Sequence, residues 1–328
     1  PITPASEIAE AAAVWMPKVG GIFLQAESEI AAIYMAYGAA STGMRVLTAS
    51  SGPGISLMQE GISYLAGAEL PCVIVDIMRG GPGLGNIGPE QGDYFQMVKG
   101  GGHGNYRNIV VAPNSVQEMC DLTMRAFELA DRYRNPAVIL ADGLLGQMME
   151  AVEFPEPTVS RPEKLWAVTG EGATRHNFIS SVFLEHAALE KHIEKLEQKY
   201  LKLQSQECAW QEYLTQDADL LVIAYGITSR VARFAIDAAR SHGIRAGMLR
   251  PITLFPFPSK PLGDLARKVA SVLVVELSTG QLLEDVRLAA EGSARIYHVS
   301  RTGGMIPTPN DIVAVLNKME RECALSYA

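Results

Sequence analysis

The chain has 328 residues, 48% of them apolar and 20% charged, with a formal net charge of −8. That composition belongs to an ordinary globular protein with room for two cored domains, and it excludes a disordered or fibrous chain. The acidic balance and the lack of a basic stripe argue against nucleic acid as a partner, and the longest apolar runs, such as Leu220–Ala224 and Val272–Val275, are too short to cross a membrane.

Residues 5 to 17 suit a helix, with Ser6 and Glu7 near its start. Gly21 to Leu24 reads as a short strand, Glu29 to Thr42 as a helix of small residues, and Arg45 to Thr48 as the next strand. Ser51-Gly-Pro-Gly then turns into a helix from Leu57 to Ala66. The apolar run from Pro71 to Ile77 predicts a buried strand, and a Gly-rich segment from Gly80 to Gly88 follows it. Ile109 to Ala112, a helix over Val116 to Tyr133, and Ala137 to Leu140 complete the alternation. Short apolar strands between helices imply an α/β fold with a parallel sheet covered on both faces.

Residues 151 to 178 read as a linker, interrupted by Pro155, Pro157 and Pro162. A long helix is predicted from Ser180 to Tyr213. Leu189, Ile193, Leu196, Tyr200 and Leu203 put one apolar stripe on it, to be buried on its own subunit or on a partner. From Asp219 a second α/β unit is expected, with strands at Leu220–Tyr225, Arg245–Leu249, Ser271–Val275 and Arg295–His298. Arg250-Pro-Ile-Thr-Leu-Phe-Pro-Phe-Pro reads as a rigid, extended connection. The expected organisation is two parallel-sheet α/β domains, 1–155 and 216–328, joined by a linker and long helix over 156–215.

Four cysteines, Cys72, Cys120, Cys208 and Cys323, lack the paired spacing of a metal or iron–sulfur site, so no cluster is expected on this chain. Unpaired thiols and the absence of a signal-like stretch point to the cytoplasm. The chain opens at Pro1 without an initiator Met, which suggests that further residues, a strand among them, precede it.

Three residues stand out for chemistry. Thr3 is a hydroxyl stiffened between Pro1 and Pro4, and it is also close to a helix start, where an N-cap reading competes. Glu29 enters a helix of small residues that would allow a ring to approach; Glu27 competes with it, as does a plain favourable charge at a helix N-terminus. Arg79 ends a strand, where open parallel sheets collect ligands, and its planar fork suits a carboxylate; a salt bridge to Asp76 or Glu90 is the structural alternative. Ser50-Ser51-Gly52-Pro53-Gly54 looks like a phosphate cradle, whereas Gly80-Gly81-Pro82-Gly83 breaks a dinucleotide fingerprint with proline. Gln91 and Asp93 are secondary candidates for a pocket lining, and His103 is read as loop packing.

Pro-Ile-Thr-Pro, Gln-Ala-Glu-Ser-Glu-Ile-Ala-Ala and Cys-Val-Ile-Val-Asp-Ile-Met-Arg, in this order, resemble the alpha subunit of the thiamine diphosphate-dependent 2-oxoacid:ferredoxin oxidoreductases. The resemblance covers nearly the whole chain and leans toward the branched-chain, 2-oxoisovalerate type. It implies a thiamine-diphosphate pyrimidine-binding domain followed by a transketolase C-terminal-like domain. It selects Glu29 over Glu27 as the acid that protonates the cofactor's pyrimidine ring, and Thr3 and Arg79 as ligands of the 2-oxo acid. Ser51, Gly52 and Pro53 would then lie on the pyrimidine side, with the diphosphate and Mg²⁺ bound by a beta subunit and 4Fe-4S clusters held on partner subunits.

The partners so implied are beta, gamma and, where there is one, delta subunits, with ferredoxin, coenzyme A and a 2-oxo acid as reactants. The segment before Pro1, usually Gly-Tyr, would also matter to the site. Alternatives are a 2-oxoglutarate or pyruvate:ferredoxin oxidoreductase alpha subunit, or a non-catalytic structural subunit. A self-contained transketolase-like enzyme would need a Gly-Asp-Gly…Asn segment that this chain lacks. The turn Gly-Gly-Met-Ile-Pro-Thr-Pro from Gly303 resembles the family's C-terminal signature and is assigned no chemistry.

Overall fold

Two seven-residue runs, Cys72–Met78 and Pro136–Asp142, are buried along their full length and form the centre of the first of two sheets. Continuous apolar strands of this kind are stable only when helices cover both faces. The computed structural model describes residues 2–154 and 163–326. Pro1 and the linker prolines Pro155, Pro157 and Pro162 lie outside the described residues.

In chain order the elements are α1 (Ser6–Trp15), α2 (Glu29–Ser41), β1 (Leu47–Ser50), α3 (Pro53–Gly67) and β2 (Cys72–Met78). A π-helical turn over Phe95–Gly100 leads to β3 (Ile109–Val111), α4 (Val116–Tyr133), β4 (Pro136–Asp142) and the short α5 (Gly143–Gly146). Beyond the linker come α6 (His186–Gln206), β5 (Trp210–Tyr213), β6 (Leu220–Ile223), α7 (Gly226–Ser241), β7 (Ala246–Pro251) and β8 (Thr253–Phe255). The chain ends with α8 (Ser259–Ala266), β9 (Ser271–Glu276), α9 (Gln281–Ala290), β10 (Arg295–Ser300) and α10 (Pro309–Ser326).

The first sheet runs β1-β2-β4-β3-β8 and the second β10-β9-β6-β7-β5. All pairings are parallel except at one edge of each, where β8 lies antiparallel to β3 and β5 antiparallel to β7. Four expectations change here. Gly21–Leu24 forms no strand: it has no ladder partner, and Ile22 and Leu24 are exposed. The helix after Gly52 begins at Pro53 rather than Leu57, because Pro at the first helical position has the required φ and no N–H to lose.

The long helix stops at Gln206, and Trp210–Tyr213 pairs with β7 instead. Its stripe is buried only in the C-terminal half, at Leu196, Tyr200 and Leu203, whereas Leu189 is exposed. Finally, the extended connection after Arg250 crosses to the first sheet, where Val110 pairs with Phe255 and Val111 with Thr253.

This crossing makes the packing continuous. One apolar cluster runs from Ile33, Ile62 and Ile74 through Leu254 to Ile223 and Val274, and a second lies on the far face of the second sheet around Ile236, Leu273 and Leu316. Buried Arg250 on β7 donates from both terminal nitrogens to the Glu118 carboxylate on α4, at 2.8 and 2.9 Å. The fork matches the two carboxylate oxygens, which suits Arg rather than Lys at a crossing point.

Candidate active site

Helix α2 starts where Ser28 Oγ accepts the Ala31 N–H at 3.3 Å, so Glu29 becomes its first helical residue. Glu29 is half-buried and makes no hydrogen bond or ion pair with another described residue; Glu27 is exposed. The side chain is pressed against the start of α3. A Cβ added to Gly54 would stand 2.8 Å from both Cγ and Oε1 of Glu29, and would also overlap Ser50 Oγ. An unpartnered carboxylate facing a position where only glycine fits is suited to bind a flat polar group from outside the chain.

Gly52, at φ 42°, turns the chain from β1 into α3, and Pro53 fills the first helical position. Ser50 and Ser51 are buried, and their hydroxyls have no partner. The turn is therefore a hydroxyl-lined wall beside Glu29. Among the described residues no group of three or more His, Cys, Asp or Glu could hold a metal ion.

Arg79 follows β2 and is 8% exposed. Its Nη1 donates to Thr3 O at 2.9 Å and its Nη2 to Leu84 O at 3.2 Å, while Nε has no partner. The guanidinium thus ties the Pro-Ile-Thr-Pro segment to the Gly-rich loop, and its stem lies over Gly52, where a Cβ would sit 3.5 Å from Arg79 Cγ. The salt-bridge alternative does not occur: Arg79 forms no ion pair with Asp76 or Glu90. The Thr3 hydroxyl makes no hydrogen bond with a described residue. Arg79, which holds Thr3 O, lies against Gly52 and Glu29 lies against Gly54, so the five residues from Ser50 to Gly54 join Thr3, Glu29 and Arg79.

Gln91 does not line a pocket. It is fully buried, donates to Tyr225 O at 3.1 Å and accepts from Leu277 N at 2.9 Å, bridging the two sheets. His103 is exposed in its loop. Asp93 is buried; it accepts from Gln96 Nε2 at 2.6 Å and from the Gly52 N–H. Burial pushes its carboxyl up, and these donors together with Arg79 oppose the rise.

Sequence reasoning gave Asp76 and Glu90 no role beyond a salt bridge to Arg79. Asp76 is completely buried inside β2, two residues short of its end, and burial followed by the charge of Asp93 holds its carboxyl well above the usual range. Glu90 accepts from Gly81 N at 3.2 Å and Gly303 N at 3.3 Å, and Asn86 Nδ2 donates to Gly303 O at 3.0 Å. The C-terminal turn thereby braces the Gly-rich loop. The signal for Asp76 was present: it is the single polar residue in Cys-Val-Ile-Val-Asp-Ile-Met.

Residues 1–207 match the family described as pyruvate flavodoxin/ferredoxin oxidoreductase, thiamine diphosphate-binding, and residues 218–312 match pyruvate:ferredoxin oxidoreductase core domain II. Ketoisovalerate oxidoreductase subunit VorB of Methanothermobacter marburgensis is 57% identical over 323 residues, covering 98% of this chain and 92% of its own. The 2-oxoglutarate synthase subunit KorA of Methanothermobacter thermautotrophicus is 36% identical, covering 98% of this chain and 93% of its own. Among solved structures, the 2-oxoglutarate:ferredoxin oxidoreductase of Magnetococcus marinus, with 2-oxoglutarate, coenzyme A and succinyl-CoA bound, matches with a TM-score of 0.84 at 28% identity. That match covers 97% of this chain and 61% of the longer one. A split-gene transketolase, at 15% identity and a TM-score of 0.53, shares the fold alone.

Proposed function

The chain belongs to the 2-oxoacid:ferredoxin oxidoreductase family, and on that premise we propose that it is the alpha subunit of a complex acting on a branched-chain 2-oxo acid, 2-oxoisovalerate. With coenzyme A and oxidised ferredoxin, the products are an acyl-CoA, carbon dioxide and reduced ferredoxin. The observation that carries this reading is the Glu29 carboxylate, without a partner among the described residues and held against Gly54. When bound, thiamine diphosphate supplies the nucleophilic and electron-withdrawing chemistry by which a 2-oxo acid loses carbon dioxide.

In this reading Glu29 holds a proton against the pyrimidine ring, and Ser51, Gly52 and Pro53 form the wall beside it. Arg79 donates from its unoccupied N–H positions to the substrate carboxylate, and the Thr3 hydroxyl orients the oxo group. The terminal nitrogens of Arg79 are already bound to Thr3 O and Leu84 O, so the guanidinium is fixed before substrate arrives and little ordering cost remains. No Lys or Arg occurs between Arg79 and Lys99, and Leu84 and Ile87 are apolar and exposed in that loop. An apolar side chain therefore suits this loop better than a distal carboxylate.

Residues 1–155 would form the pyrimidine-binding domain and 216–328 the transketolase C-terminal-like domain, bridged by 156–215. Diphosphate, Mg²⁺ and 4Fe-4S clusters are assigned to beta and further subunits, in a cytoplasmic complex. The flank of the site supports such partners. Helix α1 buries none of its residues, and Trp15, Ile22, Leu24, Tyr34, Met35 and Leu57 are exposed around it and α2. Apolar surface of that extent marks an interface.

The test is to assemble the complex with its partner subunits and assay 2-oxoisovalerate, pyruvate and 2-oxoglutarate side by side with coenzyme A and ferredoxin. Preference for 2-oxoisovalerate is expected, and the isolated chain should show neither activity nor bound iron. A clear preference for 2-oxoglutarate would remove the branched-chain assignment and leave the family intact. Stoichiometric iron in the isolated, folded chain would overturn the division of labour among subunits.

A further inference from the structure

Behind Arg79 lies a group of buried polar atoms that ordinary bonding does not satisfy. Neither carboxyl oxygen of Asp76 has a hydrogen-bond partner, nor does Asp93 Oδ2, and Asp76 is 0% exposed. The two carboxyls lie within hydrogen-bond reach of each other, and Gln96 Nε2 donates to Asp93 through Oδ1 alone. Two facing carboxylates stripped of water cannot both stay ionised; one proton between them turns repulsion into a hydrogen bond. That proton also gives two of the three orphaned oxygens a partner, one on each aspartate, and so lowers their desolvation cost.

The position of the pair gives it a role. Ser50 on β1 is in register with Asp76 on β2, so both side chains emerge on the same face of the sheet. Asp93 accepts from the Gly52 N–H and lies in the field of Arg79. The charged and titratable groups around the pair are Arg79 after β2, Glu90 in the following loop, and Tyr225 at the start of α7, which in turn faces Asp142 and Glu276. The Tyr225 hydroxyl is buried without a partner, and burial keeps it neutral.

We propose that Asp76 and Asp93 share a single proton and, carrying one negative charge between them, position Arg79 and the Ser50–Gly52 turn to accept an anionic substrate. With one charge on the pair, the guanidinium is balanced and an incoming carboxylate meets no excess negative charge. When the shared proton is lost, the pair carries two charges behind one guanidinium, and the arriving carboxylate is repelled. Both aspartates are positioning residues, since they act through Arg79 and Gly52. The inference rests on the reading of Arg79 as the ligand of the 2-oxo acid.

Two measurements on the assembled complex test it separately from that reading. Infrared difference spectra of wild type against Asp76→Asn should show the carbonyl stretch of a protonated carboxylic acid at neutral pH in wild type only. In steady-state assays, the KM of wild type for 2-oxoisovalerate should rise about 10- to 100-fold over the alkaline limb where the proton leaves, the size expected for one added charge a few ångströms from the bound anion. In Asp76→Asn, whose amide cannot ionise, that rise should vanish. Asp93→Asn, the reciprocal variant, should remove it as well.

Absence of the band in wild type, or the same alkaline rise in all three proteins, would overturn the shared proton. A wild-type complex that turns over no 2-oxo acid would overturn the functional reading instead, and the infrared band would still decide whether the proton is shared.

Discussion

A single methyl group at Gly54 should disable the site while leaving the fold standing. Gly54 is the second residue of α3 and is fully buried, and a Cβ there would lie 2.8 Å from Cγ and Oε1 of Glu29 and inside the contact distance of Ser50 Oγ. Ordinary carbon–oxygen contact is several tenths of an ångström longer, so Gly54→Ala must displace the Glu29 side chain, Ser50 or the first turn of α3. Overpacking of this kind costs about 1–3 kcal/mol, and the gain in helix propensity on replacing Gly by Ala returns up to about 1. The net loss of stability is thus about 0–3 kcal/mol, a shift in Tm of at most about 10 °C at this chain length.

The effect on activity should be larger, because misplacing a reacting group by about 1 Å can cost 10²-fold. We expect kcat for 2-oxo acid turnover by the assembled Gly54→Ala complex to fall about 10²-fold. Gly61→Ala is the control. Its Cβ would overlap Ile33 Cγ2 and stand 2.8 Å from Ile33 Cγ1, in the same α2–α3 interface but away from the carboxylate. It should lose similar stability with a much smaller loss of kcat. Wild-type kcat in Gly54→Ala, or equal kcat losses in both variants at equal stability, would refute the placement of Glu29 as the working acid.

Glu29→Gln keeps size but cannot give a proton, so turnover should fall about 10²–10⁴-fold, whereas Glu27→Gln, altering an exposed side chain, should be far milder; reversed effects in the assembled complex would exchange the two roles. Arg79→Lys keeps the charge but cannot reach Thr3 O, Leu84 O and a carboxylate together, so KM for the 2-oxo acid should rise by the equivalent of about 1.5–3 kcal/mol with coenzyme A and ferredoxin dependence unmoved. An unchanged KM would remove Arg79 from substrate binding.

Burial raises Asp142 to about 6, against the Leu145 and Ile227 N–H groups that it accepts. The folded state therefore binds the proton more tightly than the unfolded one, and this group's contribution to stability falls as pH rises from about 4 to about 6, by about 3 kcal/mol in all. Urea melts of wild type and Asp142→Asn should diverge by that amount across the interval; parallel curves would show that Asp142 is not perturbed.

The parts of the fold that were legible are those fixed by local pattern. Cys72–Met78 and Pro136–Asp142 are continuous apolar runs with no other stable home than a covered parallel sheet, and Ser28 caps the helix that Glu29 enters. The parts that were missed depend on distant partners. Trp210–Tyr213 continues the helical pattern in sequence, yet β7 offers it an edge; Thr253–Phe255 is three residues long and takes its identity from β3. Gly21–Leu24 has strand composition but no neighbour in this chain to pair with.

The site divides in the same way. Thr3, Glu29 and Arg79 could be singled out because their residue types and flanks are unusual. Asp76 was hidden because a pattern of apolar residues defines the strand and averages over one aspartate. Gln91 was misread because a buried amide bonded to two backbone groups across sheets looks, in sequence, like any polar residue beside a loop.

The second half of the chain bears on the chemistry through that loop. Arg79 can be held by Leu84 O only if residues 80–88 keep their path, which the loop fixes in part itself: Gly80 N donates to Gly88 O, Asn86 N to Gly80 O and Gly88 N to Asn86 Oδ1. A further constraint comes from beyond residue 300: Gly303 donates to Glu90 and accepts from Asn86, and a side chain on Gly88 would meet Gly304 Cα at 2.6 Å. Gln91 and Asp142 fasten the same end of the first sheet to Tyr225, Leu277 and Ile227. Removing one partner of Gln91 or Asp142 while the halves stay packed would leave a buried polar group unpaired, at about 1–3 kcal/mol. A segment outside the candidate site thus helps to set where the guanidinium points, because it braces the loop whose Leu84 carbonyl holds Arg79.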